Sequence, residues 1–275
     1  MRFAARLSAT AVVASVFAAL VSASEPAAGT LAAVKARGRL IMVCFPHQDN
    51  PFVHVNVAQG AMKKVGTVAD FEGVDVDLMS AFAKSLGVEL EIRPITTPSY
   101  AELIPALLAG PGDVIASSFS ITPERAAQVD FSAPYFEVHQ AVLALADSKI
   151  SKAEDLAGKT AAVVAGTAME ARIRGLGIPD ERIRREGFSR DALLDVANGD
   201  ADFTIIELDN YGTFEPLLKA FPKLKVKFRI GGATEFGFAV PRGSDLKPAL
   251  DAFVAKERSS GELAKFIKRS AKGHK

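Results

Sequence analysis

The 275-residue chain reads as an α/β protein of two lobes, and three observations predict that class. Strand-like apolar runs alternate with helical patterns, which favours largely parallel sheets. The alternation starts afresh after about residue 140. The order helix, glycine, aspartate, strand occurs twice, at 106–116 and again at 193–206. A chain of this length can fill one large core or two smaller ones.

Residues 40–45 form a continuous apolar run and read as a buried strand. It holds Cys44, the only cysteine, which can form no intrachain disulfide and reads as a small core residue. Leu78, Met79, Phe82 and Leu86 recur at helical spacing, and Gly87 closes that helix. A strand is expected at 89–95, a helix at 100–109 with Leu103, Ile104, Leu107 and Leu108 on one face, and a strand at 113–116. In the second half, Ser151 to Glu154 reads as a capping box before a short helix. A strand at 160–165, helices at 168–175 and 191–197, and a strand at 203–207 follow.

An extended run at 138–146 leaves the first lobe, 236–241 returns to it, and helices within 246–270 complete it. The expected lobes are therefore 30–140 with 238–270, and 141–237. Two crossings make a hinge, and a hinge lets lobes close over a ligand. One compact α/β domain carrying a long antiparallel ribbon fits the same pattern.

Residues 1–23 have the anatomy of a cleavable signal peptide. Arg2 and Arg6 precede an apolar stretch, and Val21-Ser22-Ala23 offers small residues for cleavage. The stretch is shorter than the ~20 residues of a spanning helix. No cysteine lies near the cleavage point, so a freely diffusing periplasmic protein is expected. The 33 basic residues less Arg2 and Arg6 leave 31, against 32 acidic ones, a balance that argues against a nucleic-acid partner. His47, His54, His139 and His274 are scattered, no cluster has metal-ligand spacing, and no cofactor is expected.

The most informative segment is 117–136. An apolar strand, Val114-Ile115-Ala116, empties into Ser117, Ser118 and Ser120; Thr122 then reads as a helix N-cap and Pro123 as the first helical residue. Arg125 falls in that first turn. Hydroxyls, backbone N–H groups and a guanidinium converge where a helix start already favours an anion. A guanidinium can hold a carboxylate through two parallel hydrogen bonds, as a lysine cannot. A capped helix with a solvated arginine is the plainer reading of the same residues. The strand at 203–207 likewise empties into a polar cluster, Glu207 to Asn210, and ligands of open α/β sheets bind at such strand ends.

The run Ser117-Ser118-Phe119-Ser120-Ile121-Thr122, with Arg125 and then Asp130-Phe131-Ser132-Ala133-Pro134-Tyr135, resembles the signature of the bacterial extracellular solute-binding proteins of family 3. The similarity continues through Gly38-Arg39-Leu40, Gly73 to Leu78, Leu103 to Leu107, Asp155 to Lys159 and Gly166-Thr167, covering roughly 30–270. The paired serines are most similar to the basic-amino-acid branch. The resemblance implies a type II periplasmic-binding-protein-like fold, in which two α/β lobes joined by a two-strand hinge close on an amino acid. It also implies delivery to the membrane permease of an ABC importer, by a monomer.

By that resemblance, Arg125 pairs with the ligand α-carboxylate, which the backbone N–H groups of Ser120 and Thr167 share. Ser118 accepts from the ligand ammonium, and Ser117 lines the same edge. Glu207 stands where most relatives place an aspartate for the ammonium, though a glutamate there also suits a solvated strand end. Tyr100 stands where relatives often stack an aromatic on the ligand, and reads equally well as a core tyrosine. The first loop departs from the pattern, with Pro46 and Asp49 ahead of Pro51-Phe52. Between Phe52 and Gly73 lie roughly ten residues more than in the basic-amino-acid binders, among them His54, Gln59, Lys63 and Lys64. Ligand identity therefore does not carry over. Two other readings share the scaffold: a dehydratase of cyclic carboxylic acids with Glu207 as general acid, and a solute-sensing receptor domain. No second catalytic group is evident beside Glu207, and no transmembrane segment is evident after residue 24.

Overall fold

The computed structural model describes residues 29–45, 50–55 and 66–273. The signal segment, Pro46, His47, Asp49, His274 and the insert residues Gln59, Lys63 and Lys64 lie outside the described residues.

Thr30 caps α1 (Leu31–Arg37), its hydroxyl accepting from the Ala33 N–H, and β1 (Arg39–Cys44) follows, buried from Leu40 onward. The short pair β2 (His54–Val55) and β3 (Phe71–Glu72) leads into α2 (Val74–Ser85), which buries Leu78, Met79 and Phe82. Gly87, at φ +74°, turns the chain into β4 (Glu89–Pro94). A 3₁₀ turn (Tyr100–Glu102) runs into α3 (Leu103–Ala109), and β5 (Val114–Ile115), α4 (Pro123–Ala126) and β6 (Asp130–Phe131) complete this half. Leu108 is 52 % exposed and not on the apolar face with Leu107, because adjacent helical residues point about 100° apart.

β7 (Phe136–Leu145) crosses to the second lobe. There a 3₁₀ turn (Ala153–Leu156) precedes β8 (Ala161–Val164), α5 (Ala168–Gly175), β9 (Ile183–Glu186), α6 (Ser189–Asn198), β10 (Phe203–Leu208) and α7 (Glu215–Lys219). The carboxylate that closes the expected capping box is Asp155, not Glu154. Its Oδ2 accepts from the Ser151 N–H, the Ser151 hydroxyl and the Lys152 N–H. β11 (Leu224–Phe236) returns, followed by β12 (Ala239–Val240), α8 (Leu246–Ser259) and α9 (Glu262–Gly273).

Two five-stranded sheets result, ordered β4-β1-β5-β12-β6 and β11-β7-β10-β8-β9. Half of each sheet is parallel: β1 pairs with β4 and β5, and β8 with β9 and β10. Each sheet is nevertheless mixed, not largely parallel, because the crossing chain adds antiparallel strands to both. β7 pairs antiparallel with β10 and β11, and β12 with β5 and β6. The β7–β11 ladder is the double connection between the lobes.

The largest apolar cluster lies in the first lobe, where Phe52, Phe136, Phe236 and Phe238 meet. Two further clusters cover opposite faces of the second sheet, around Phe203 and Leu193. A fourth joins Phe45, Tyr100, Leu103 and Phe119 to Val164 of the second lobe, so the lobes touch. Among the described residues no helix is long and apolar enough to cross a membrane.

Candidate functional site

The strand β5 ends in a buried hydroxyl-rich loop whose shape is set from beneath. The Asp75 carboxylate, on α2, accepts from the Ser118 N–H at 2.7 Å and from the Tyr135 hydroxyl at 2.6 Å. Complete burial raises the Asp75 carboxyl to about 7, although both donors pull it down. Ser118 is the one non-glycine residue at positive φ among the described residues, at +45°. Such a conformation is strained and needs support from its surroundings. Asp75 provides it.

Ser117 is fully buried and does not reach the cleft. Its hydroxyl accepts from the Phe45 N–H at 2.9 Å and its carbonyl from the Tyr100 hydroxyl at 3.2 Å. The expectation that both serines line one edge is corrected: the left-handed turn at Ser118 separates them. Ser118, Ser120, Arg125, Thr167, Glu207 and Tyr100 all line one cleft, which encloses a cavity of about 60 Å³.

Thr122 caps α4 as read, its hydroxyl accepting from the Arg125 N–H at 3.3 Å, with Pro123 in the first turn. The Arg125 guanidinium lies over the Phe119 ring, 4.0 Å from its centroid. One arm donates to the Ser120 carbonyl at 2.9 Å, the other to the Gly166 carbonyl of the second lobe at 3.2 Å. Burial lowers the Arg125 pKa to about 10, and it stays charged at neutral pH.

From the second lobe, Thr167 caps α5, accepting from the Glu170 N–H and donating to the Val164 carbonyl. Gly166, at φ +75°, sits so close to the first lobe that a β-carbon would lie 2.4 Å from the Ala101 nitrogen. The Tyr100 N–H donates across the same seam to the Ala165 carbonyl at 3.0 Å. Glu207 is half-buried near the end of β10, paired with Gln140 of β7. Burial pushes its carboxyl up to about 8, and Arg125 draws it partly back. An arginine of one lobe and a carboxyl of the other thus share one cleft.

Tyr100 stacks on Phe45 at 4.8 Å inside the core, and it also lines the cleft. Sequence reasoning missed Asn50, whose amide donates to the Ser118 hydroxyl at 3.3 Å, and the apolar wall around Met169, Phe214 and Leu218. Asn50 directly precedes Pro51, and that pair is the turn signal by which it could have been found. No group of three or more potential metal ligands is assembled among the described residues.

Two mixed α/β lobes, joined by a pair of crossing strands over a lined cleft, define a type II periplasmic-binding-protein-like fold. The chain belongs to the bacterial extracellular solute-binding proteins, family 3, whose family model matches residues 51–272. Among similar solved structures is a mutant of ArgBP from T. maritima, with a TM-score of 0.74 at 28% identity, covering 87% of this chain and 97% of that one. Another is an ancestral amino acid-binding protein, a precursor of cyclohexadienyl dehydratase, with a TM-score of 0.72 at 28% identity and coverage of 88% and 99%. The arginine-binding extracellular protein ArtP of Bacillus subtilis (strain 168) is 29% identical over 77% of this chain and 86% of its own length. The membrane-bound lytic murein transglycosylase F of Ectopseudomonas mendocina (strain ymp) is 28% identical over 89% of this chain and 48% of its own length. The chain thus spans about half the length of that relative.

Proposed function

We propose that this protein captures an L-amino acid, or a similar amino-carboxylate, and hands it to the membrane permease of an ABC importer in the periplasm. The lobes 30–140 with 238–270, and 141–237, close over the ligand. The observation that carries the reading is the presence of Arg125 and Glu207 in one cleft, contributed by different lobes. Arg125 retains donors beyond its two carbonyl contacts. It receives the α-carboxylate together with the backbone N–H groups of Ser120 and Thr167, while Ser118 and Glu207 accept from the ammonium. Only the closed arrangement brings both charges to one ligand, so the ligand favours closure and a transporter can read the closed state.

The test is a thermal-shift screen of the ligand-stripped mature protein against the amino acids and the same acids without their amine. A native-state ligand raises the midpoint by an amount that grows with the logarithm of its excess over Kd. Shifts with amino acids that exceed those of the deaminated set, and that shrink in Glu207→Gln, support the assignment. Shifts confined to acids lacking an amine would reject it. A second reading, a dehydratase using Glu207 as general acid, is favoured by the same raised pKa of about 8, which keeps that carboxyl protonated near neutrality. Turnover of a cyclic hydroxy-carboxylate, lost in Glu207→Gln, would select it.

A further inference from the structure

The cleft continues past Glu207 into the second lobe. Its wall there is apolar, built from Met169 on α5, Leu193 on α6, Phe214 before α7, and Leu217 and Leu218 on α7. Met169, Phe214, Leu217 and Leu218 each pack on a core cluster yet stay only half-buried. They leave apolar surface at the cleft, where a ligand side chain would remove it from water.

The charges of the cleft point the same way. Among the described residues that line it, Arg125 is the one cation and Glu207 the one anion. The carboxylate and ammonium common to all α-amino acids use both. A lysine- or arginine-like side chain would bring a second cation, and an acidic one a second anion, to a wall of leucine, methionine and phenylalanine. A buried charge without a partner is strongly disfavoured.

We infer that this apolar bay receives the ligand side chain, so that the protein selects α-amino acids of the leucine, methionine and phenylalanine class over basic and acidic ones. The inference rests on the amino-acid reading above, and one experiment separates the two. Ligand-stripped mature protein is titrated calorimetrically with leucine, methionine, phenylalanine, arginine, lysine and glutamate. At least one apolar amino acid should bind tenfold or more tighter than arginine, lysine and glutamate. Equal or tighter binding of arginine, lysine or glutamate would overturn the inference and leave the amino-acid reading standing. Binding of none of the six would overturn the inference, and the thermal-shift screen against all the amino acids then decides the amino-acid reading separately.

Leu218→Asp, with Met169→Asp as a second variant should the first not fold, sets a carboxylate on the bay wall. The expected result is a tenfold or greater loss for the apolar ligand and a gain for arginine. Unchanged affinity for the apolar ligand in a folded variant would mean that the bay does not hold the side chain.

Discussion

Removing the amine from a ligand of this cleft should reverse the pH dependence of its binding. Burial holds the Glu207 carboxyl at about 8 in the closed cleft. Near pH 6 its ionised form is therefore outnumbered about a hundredfold, and ionising it costs about 2.7 kcal/mol. An ammonium needs the carboxylate, so binding below that pKa must expel a proton. Half of the groups are already ionised near pH 8, and affinity for an amino acid should fall about fifty-fold from there to pH 6. A 2-hydroxy analogue prefers the protonated acid, and its affinity should rise over the same interval. Titration calorimetry at several pH values, in buffers of different ionisation heat, reads both the affinities and the released proton. Parallel profiles for the two ligands would refute the pairing of Glu207 with an ammonium. Glu207→Gln should flatten both. The sign for stability follows from the same shift: a carboxyl raised from 4.5 to about 8 binds its proton more tightly when folded. Its contribution is full below about 4.5 and is lost as pH rises through about 8. Asp75, raised to about 7, acts in the same direction, and its share persists in Glu207→Gln.

Arg125→Lys should weaken a carboxylate ligand tenfold or more, about 1.4 kcal/mol, because one ammonium cannot replace the fork that spans Ser120, Gly166 and a carboxylate. Unchanged affinity by calorimetry would remove Arg125 from the site. Gly166→Ala should cost roughly 1 kcal/mol in stability through its positive φ, and more in affinity, since its β-carbon meets the Ala101 nitrogen only when the lobes are closed. Small-angle scattering with saturating ligand should show a more open variant; a scattering profile matching the unsubstituted protein would reject that steric account. Cys44 is fully buried, and burial pushes its thiol far above its ordinary value. Maleimide should label the unfolded chain and spare the native one, with mass spectrometry as the readout.

The parts of the fold that were legible are those with enough residues to carry a period. β1 is six residues, buried from Leu40 onward, and α2 repeats its apolar positions until Gly87. β2, β3, β6 and β12 are two residues each, too short to show alternation. β11 escaped beyond its last residues because its register shifts twice, between Val226 and Phe228 and between Arg229 and Ala233, which scrambles its in–out pattern. In the site, Ser118, Ser120, Thr122 and Arg125 could be read because one short segment holds them. Ser117 could not be told from Ser118, since the backbone turn that parts them depends on Asp75, more than forty residues earlier. The apolar bay was invisible for the same reason: Met169, Leu193, Phe214 and Leu218 come from separate segments, and each reads alone as an ordinary helix or loop residue.

In the closed cleft both charges are met by substitutes. Arg125 leans on two backbone carbonyls, one from each lobe, and Glu207 holds a proton at neutral pH. A zwitterion supplies what both lack, a carboxylate for the guanidinium and an ammonium in place of the proton. Because the two groups come from different lobes, neither substitute is needed when the lobes part and water enters. Opening would return Glu207 toward its ordinary range, so its ionisation favours the open empty protein, whereas a bound ammonium makes ionisation compatible with closure. The same desolvation that raises the Glu207 pKa therefore penalises closure without cargo as pH rises and is relieved by a ligand amine. On the proposed function, closure would then signal occupancy, a property that neither lobe possesses alone.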